Sequence, residues 1–256
     1  MSANHYVCPE GYGVERFVDE AVAAGFSQVA LTRAALAEMT PVRLRQAVDA
    51  RGLQVTTLNS AGYFTWADPD RRKAQASENR ALIDAAVELG AKALCVITGG
   101  CAEQADVASA RRLIVDGLAV LDRQATSAGV RLGLEPIHPK DVQTKGCVNT
   151  IAQARTLIAP LQSTSLIVDL FHSWWDPDLI DVAADPCVCT LQICNVTPQL
   201  RRSPDLDFGI LDVRALVRNI HRAGYAGPTE FEIFAADHGE SDIAPILQRA
   251  NAWAQA

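Results

Sequence analysis

Short apolar runs alternate with longer amphipathic stretches along most of the 256-residue chain. The apolar runs have the length and composition of buried strands, and they lie at Gln28–Leu31, Leu53–Leu58, Ala93–Thr98, Val130–Glu135, Leu166–Asp169, Val188–Ile193, Thr229–Phe234 and, more weakly, near Asn4–Cys8. The amphipathic stretches predict helices at Val14–Ala24, Val42–Ala50, Ala76–Leu89, Val107–Ala128, Thr150–Ile158, Leu179–Ala184, Asp212–Ala223 and Ile243–Ala254. Strict alternation of this kind predicts a sheet of parallel strands.

Such a sheet is either closed into a barrel or doubly wound. Glycines that suit helix C-caps follow several of the amphipathic stretches: Gly25, Gly52, Gly90, Gly129 and Gly224. No G-x-G-x-x-G pattern follows the first strand, which weakens the dinucleotide-binding alternative. Because the length is close to that of one barrel, we predict a single (β/α)8 barrel domain over residues 1–256.

Charge and composition narrow the possible partners. The formal net charge is −7 and 49% of the residues are apolar, so the chain can fill a core but offers no basic surface to nucleic acid. The apolar runs are too short to cross a membrane, and the stretch from Met1 to Gly13 does not resemble a signal peptide. The seven cysteines are an odd, dispersed set, typical of reduced thiols. We therefore expect a cytoplasmic protein with no nucleic-acid or membrane partner.

Oxygen-bearing side chains close four consecutive predicted strands, namely Glu135, Asp169, Gln192 and Glu232. In a parallel barrel the carboxyl ends of the strands form one rim, where the active sites of such barrels lie. A single acidic residue at a strand end is more often a helix N-cap or a surface charge. Four such residues on adjacent strands favour a shared site.

A divalent ion explains this set best. Buried carboxylates without partners are costly, and several close together repel one another. No lysine or arginine lies beside them in the sequence. Carboxylate and amide oxygens are hard ligands, which favour Mn²⁺ or Mg²⁺, with Co²⁺ possible, over zinc.

Four segments of the sequence resemble the xylose-isomerase-like TIM barrels, in particular the sugar phosphate isomerase/epimerase branch. They are Leu134–Pro139 with Cys147–Thr150, Val168–Asp178, Gly224–Phe234, and the helix Glu78-Asn79-Arg80 leading to Leu89-Gly90-Ala91. The resemblance implies a (β/α)8 barrel in which Glu135, Asp169 and Glu232 bind the metal and the two glutamates exchange substrate protons.

Gln192 departs from the pattern of that branch, whose seventh strand carries a histidine ligand. A glutamine at this position resembles the 3-dehydroshikimate dehydratase branch of the same superfamily. The loop Thr197–Phe208 also looks shorter than usual. Three hypotheses follow: a metal-dependent isomerase or epimerase of a small sugar, keto-sugar or polyol that works through an enediolate; a metal-dependent lyase that dehydrates 3-dehydroshikimate or a keto-inositol; and a non-catalytic barrel subunit.

Further side chains are candidates for substrate binding: His172, His138, Trp174, Trp66 and Arg202. Three of them have plainer alternatives: His138 as a loop histidine, Trp174 as packing, and Arg202 as a solvated loop charge. Tyr63 and Phe64 are candidates for the wall near Trp66. Glu230 lies two residues before Glu232, so its side chain points to the same face of the strand. We expect it to be a buried structural carboxylate. Barrels of this kind often assemble, so we expect a homodimer or homotetramer.

Overall fold

The computed structural model describes residues 1–183 and 185–256. Eight parallel strands form a closed barrel in the order β1-β10-β7-β6-β5-β4-β3-β2. Their bounds are β1 Ser2–Asn4, β2 Gln28–Thr32, β3 Gln54–Gly62, β4 Ala93–Ile97, β5 Leu132–Leu134, β6 Thr164–Asp169, β7 Val188–Ile193 and β10 Thr229–Phe231. The predicted (β/α)8 barrel is confirmed.

Helices surround the barrel. They are α1 Val14–Ala23, α2 Arg33–Glu38, α3 Pro41–Asp49, α4 Pro69–Leu89, α5 Val107–Ala128, α6 Ile151–Ile158, α7 Leu170–Ser173, α8 Leu179–Ala183, α9 Val213–Arg222, α10 Ala235–His238 and α11 Ala244–Gln255. The last residue of the predicted helix Leu179–Ala184 lies outside the described residues. Gly90 and Gly129 end the two longest helices at φ 60° and 70°, values that glycine adopts without steric cost.

The strands are buried on both faces because the helices cover the outer face and side chains fill the interior. The main core packs Phe17, Leu58, Leu94 and other apolar side chains between sheet and helices. A second small cluster consists of Ala93, Cys95, Ile167 and Cys189. All seven cysteines are free, as their spacing predicts.

Several predicted boundaries differ from the structure, and two of the differences have a clear local cause. The first strand ends at Asn4, because the Asn4 side chain accepts a hydrogen bond from the Tyr6 backbone N–H and starts a 3-10 turn at His5–Val7. Helix α4 starts at Pro69, seven residues before the predicted Ala76, because Asp68 caps it and Pro69 suits its first turn.

A two-stranded antiparallel hairpin follows β7 and is the main element that the sequence did not predict. It pairs β8 Asn195–Val196 with β9 Arg202–Ser203. The Asn195 side chain holds the following loop, since its Nδ2 donates to the carbonyls of Leu206 and Leu211 at 3.0 and 3.1 Å. The hairpin turns the chain back over the barrel and so returns Arg202 to the carboxyl ends of the strands.

Within the described part of the chain, none of the helices combines the length and apolar character that crossing a membrane requires.

Candidate metal and substrate site

The four side chains at the strand ends come from neighbouring strands of the barrel. Asp169 of β6 pairs in register with Gln192 of β7, and Gln192 pairs with Glu230 of β10. Glu135 and Glu232 follow the last residues of β5 and β10. All four side chains are buried. The exposed fraction is 4% for Glu135, 3% for Glu232 and 0% for both Asp169 and Gln192.

The amide of Gln192 has a fixed orientation. Its Nε2 donates to Glu232 Oε1 at 3.1 Å and to Glu230 Oε2 at 3.3 Å. In both contacts the carboxylate oxygen is the acceptor, so both amide protons face the glutamates and the amide oxygen faces away from them. Among the described residues, the buried Gln192 Oε1 has no hydrogen-bond partner, which leaves one oxygen ligand free.

Glu230 lies below the site and is anchored from the other side. Its Oε1 accepts hydrogen bonds from the hydroxyls of Thr56 and Thr57 at 2.6 and 2.8 Å. Burial raises the pKa of Glu230, and the hydrogen bonds from Thr56, Thr57 and Gln192 oppose that rise. The sequence-based expectation of a buried carboxylate agrees with this placement.

Arg202 is buried among the carboxylates, with an exposed fraction of 3%. Its Nη2 lies 2.5 Å from Asp169 Oδ2 and 2.9 Å from Glu232 Oε2, and its Nη1 lies 3.3 Å from Asp169 Oδ1. The guanidinium group packs over the ring of Phe171 at 4.5 Å from its centroid. The interpretation of Arg202 as a solvated loop charge therefore does not hold.

His172 is held as a neutral hydrogen-bond donor. Its Nδ1 accepts the backbone N–H of His138 at 3.1 Å, which places the ring proton on Nε2. Burial and the charge of Arg202 lower the pKa of His172 well below its ordinary value. Nε2 lies 3.5 Å from Glu135 Oε1 and 3.8 Å from Asp169 Oδ2. This tautomer makes His172 a donor to the site and not a metal ligand.

Burial changes the titration of the two glutamates. It raises the pKa of Glu135 to about 7, the charge of Asp169 adds to the rise, and Arg202 opposes it. Burial also raises the pKa of Glu232 well above its ordinary value, again against the opposing charge of Arg202. One guanidinium therefore does not fully offset this cluster of carboxylates.

The residues fit a divalent ion. Ligand atoms of Glu135, Asp169 and His172 lie within 4.8 Å of one another. The Gln192 amide oxygen adds a ligand that otherwise has no partner. Because His172 acts as a donor, the available ligands are the oxygens of Glu135, Asp169, Gln192 and Glu232. Asp169 also caps α7 by accepting the Phe171 N–H at 2.8 Å, so the N-cap and ligand interpretations are compatible.

Glu135, His172, Arg202 and Glu232 line one cavity of about 130 Å³, whereas Asp169 and Gln192 lie outside its lining. Its lining comprises Tyr6, Asn59, Ser60, Tyr63, Cys95, Ile97, Glu135, Ile137, Lys145, His172, Arg202, Glu232 and Phe234. The cavity is large enough for one small molecule. Tyr63 lies where the sequence predicted a wall residue.

Three of the candidates for substrate binding do not line this cavity. His138 contributes through its backbone N–H to His172 and packs its ring against Trp175 at 5.7 Å. Trp66 lies under Arg71, with 3.6 Å between the guanidinium carbon and the ring centroid. Trp174 is partly buried against the main core. Phe64 also packs away from the cavity, against Gly117 of α5.

Sequence reasoning missed several lining residues, among them Tyr6, Cys95, Lys145 and Phe234. Cys95 donates to Glu135 Oε2 at 3.4 Å. Tyr6 stacks on Phe234 with 4.6 Å between ring centroids. Of these, Phe234 had a usable signal, because it ends the segment Gly224–Phe234 that carries the resemblance, whereas Lys145 lies between the two parts of the fifth-strand segment.

Several solved structures are similar to this chain over nearly its full length. Protein SMc04130 from Sinorhizobium meliloti 1021 is 30% identical and has a TM-score of 0.87 over 98% of this chain and 97% of that chain. The apo 3-keto-D-glucoside 4-epimerase YcjR from E. coli is 21% identical, with a TM-score of 0.79 over 99% and 97%. The IOLI protein with a bound zinc atom is 17% identical, with a TM-score of 0.80 over 98% and 96%.

The last two structures share the fold with this chain at low identity. No curated protein sequence matches the chain significantly. The sequence profile of the xylose isomerase-like TIM barrel family matches residues 18–255, which is nearly the full length. The chain therefore belongs to the xylose isomerase-like TIM barrel family.

Proposed function

We propose that the protein is a divalent-metal-dependent isomerase or epimerase of a small sugar, keto-sugar or polyol. The observation that carries the proposal is the pair of buried glutamates, Glu135 and Glu232, in one small cavity. They follow β5 and β10, which β6 and β7 separate in the barrel. The two carboxyl groups therefore approach a bound molecule from different sides. The keto-sugar epimerase from E. coli, which shares the fold, supports this choice of substrate class.

Glu135, Asp169, Glu232 and the amide oxygen of Gln192 would hold one ion, with Mn²⁺ or Mg²⁺ preferred by this oxygen set and Co²⁺ also accepted. A bound ion of this kind supplies Lewis-acid polarisation of the substrate carbonyl, which makes the adjacent C–H more acidic. The zinc in the IOLI protein supports a metal site in this fold without deciding which metal this chain uses.

The protein side chains carry the protons. One glutamate takes the proton from the carbon beside the carbonyl, which leaves the substrate as an enediolate, and the other returns a proton at the second position. The Nε2–H of His172 and the guanidinium of Arg202 donate hydrogen bonds to substrate oxygens, which hold the reacting carbon between the two carboxyl groups. Apolar and aromatic lining residues, including Ile137 and Phe234, limit water access.

The test is exchange of substrate hydrogen with solvent. Mn²⁺-loaded protein is incubated in D₂O with a panel of ketoses, ketose phosphates and inososes, and deuterium in the sugar is measured by mass spectrometry. We expect one deuterium at a carbon beside the carbonyl, and loss of more than about 100-fold in rate for Glu135→Gln or Glu232→Gln. Glu88→Gln, an exposed change on α4, serves as the control. An absence of exchange with the whole panel would contradict the proposal.

A lyase is the second candidate, and the orientation of Gln192 favours it. The amide oxygen faces away from both glutamates, so glutamine serves as a ligand here as the resemblance to the dehydratase branch implies. The same enediolate then expels a β-hydroxyl instead of being protonated again. New ultraviolet absorbance with 3-dehydroshikimate or a keto-inositol identifies this reaction, and a flat trace excludes it for those substrates. Turnover of any substrate excludes the non-catalytic barrel.

A further inference from the structure

Lys145 lies at the mouth of the cavity on a well-anchored stretch of backbone. The residue is exposed, whereas Glu135 and Arg202 deeper in the cavity are buried. Its carbonyl accepts the N–H of Gly99 at 3.0 Å and its N–H donates to the Asp141 carbonyl at 2.9 Å. The next residue, Gly146, pairs with Gly99 as an isolated bridge. The structure thus fixes the Cα of Lys145 beside the cavity.

The ammonium group of Lys145 has no carboxylate within 4 Å among the described residues. Two neighbouring cations are paired: Lys140 Nζ lies 2.8 Å from Asp141 Oδ2, and Arg202 bridges Asp169 and Glu232. Lys145 is therefore the cation that lines the cavity and remains available to a ligand.

Aromatic contact directs the ammonium group towards the cavity. Lys145 Nζ lies 4.9 Å from the ring centroid of Phe234, and the guanidinium carbon of Arg202 lies 5.0 Å from the same centroid. An ammonium group over an aromatic ring is weakly attracted to it. The Lys145 charge also lowers the pKa of both Glu135 and His172, as expected for a cation that faces them.

The charges in the cavity leave a positive excess at its mouth. The three carboxylates of Glu135, Asp169 and Glu232 would be offset by one divalent ion of the proposed kind together with Arg202. Lys145 then has no counter-charge among the lining residues, and a strongly hydrated ammonium group at a cavity mouth suits an anionic oxygen. Glu230, which does not line the cavity, is bound by Thr56, Thr57 and Gln192.

We propose that Lys145 binds an anionic group of the substrate, a carboxylate or a phosphate, at the cavity mouth while the keto end of the molecule lies inside. The proposal rests on the proposed function and names its substrate class as acidic or phosphorylated keto-sugars. Neutral ketoses then occupy the inner part of the cavity alone and bind more weakly.

The test compares three ligands with the same six-carbon skeleton: D-fructose, D-fructuronate and D-fructose 6-phosphate. Binding to the Mn²⁺-loaded protein is measured by isothermal titration calorimetry for the unmutated chain, Lys145→Met and Lys140→Met. We expect at least one charged ligand to bind about tenfold more tightly than D-fructose, the order of one charge-assisted hydrogen bond. The preferred ligand distinguishes carboxylate from phosphate.

Lys145→Met is expected to remove that preference, so that charged and neutral ligands bind alike, whereas Lys140→Met retains it. Equal binding of all three ligands to the unmutated chain, including no binding of any, overturns the proposal, as does a preference that persists in Lys145→Met. Deuterium exchange reports on the proposed function separately, because proton transfer by Glu135 and Glu232 does not require Lys145.

Discussion

Two carboxylates, Glu230 and Glu232, hold the amide of Gln192 in one orientation. An amide side chain can rotate by half a turn when its neighbours both donate and accept hydrogen bonds. In both contacts the carboxylate oxygen is the acceptor, so the amide oxygen faces away from the two glutamates. Glu230 is thus a positioning residue for Gln192.

We predict that Glu230→Gln weakens Mn²⁺ binding by about tenfold, the usual size of a loss of support behind a metal ligand. The new amide can donate to Gln192 Oε1 and so stabilise the reversed orientation. Isothermal titration calorimetry with Mn²⁺ measures the effect, and Glu88→Gln is the matched control. An unchanged dissociation constant would show that the orientation of Gln192 does not depend on Glu230. Because burial raises the pKa of Glu230, the thermal stability of the metal-free variant should not fall.

His5 provides a pH-dependent contribution to stability. Its Nδ1 lies 2.8 Å from Thr32 Oγ1 and its ring packs on Phe17. Burial lowers the pKa of His5 from its ordinary value of 6.5 to about 4. The unfolded chain therefore binds this proton more readily, and the free energy of unfolding falls as the pH drops from about 6.5 towards 4.

The free energy of unfolding should decrease between pH 7 and pH 4.5 in both proteins. We predict that this decrease is about 2 kcal/mol smaller in His5→Gln than in the unmutated chain. Urea unfolding at both pH values measures the difference. The acidic groups titrate in both proteins, so the difference between the two pH profiles reports the contribution of His5. Parallel pH profiles would show that His5 is not responsible.

Residue-level prediction succeeded where strand ends alone decide the position of a side chain. Asp169 ends a strand, Glu135 and Glu232 follow strands and Gln192 is the last residue but one of β7, and in the structure all four are buried at one end of the barrel. Lys145 was missed because its position depends on the path of an irregular loop, which has no periodic signal in the sequence.

Among the elements, α5 is tied to the start of β6 by one buried carboxylate. Asp122 accepts hydrogen bonds from the backbone N–H groups of Gln162 and Ser163 at 3.0 and 2.9 Å, and from the Thr164 hydroxyl at 2.7 Å. These contacts fix the loop between α6 and β6 against a helix from the preceding repeat.

We predict that Asp122→Ala lowers the free energy of unfolding by about 3 kcal/mol, because three hydrogen bonds are lost and their donors stay buried. Urea unfolding measures the loss. Asp116→Ala, an exposed change on the same helix, should stay within about 0.5 kcal/mol. A similar loss in both variants would contradict this role of Asp122.

Elements with strong periodicity were predictable, and those set by single side chains were not. The long helices and most barrel strands lie where apolar spacing places them. The β8–β9 hairpin was not predicted because it depends on the hydrogen bonds of Asn195 to a distant part of the loop. This hairpin determines whether Arg202 is solvated or buried, so its absence from the prediction also left the role of Arg202 open.

At the scale of the whole molecule, binding of the proposed ion would be coupled to folding, since the proposed ligands come from four strands that meet only in the closed barrel. We predict that Mn²⁺ at about 100 times its dissociation constant stabilises the fold by about 3 kcal/mol. For a chain of this length the melting temperature should rise by roughly 6–10 °C. Differential scanning calorimetry after treatment with EDTA, with and without Mn²⁺, measures the shift. The shift should largely disappear in Glu232→Gln, and an equal shift in that variant would place the ion elsewhere.

Asn4 of the first strand donates to Glu232 Oε1 at 3.2 Å, so the seam between β1 and β10 passes through the site. A nascent chain that has not yet produced its final strand holds only Glu135, Asp169 and Gln192, and these are not yet enclosed. Binding of the proposed ion is thus delayed until the first strand, β1, has paired with the last strand, β10. A metal ion that is abundant near the ribosome therefore meets an incomplete set of ligands for as long as the final strand has not been synthesised.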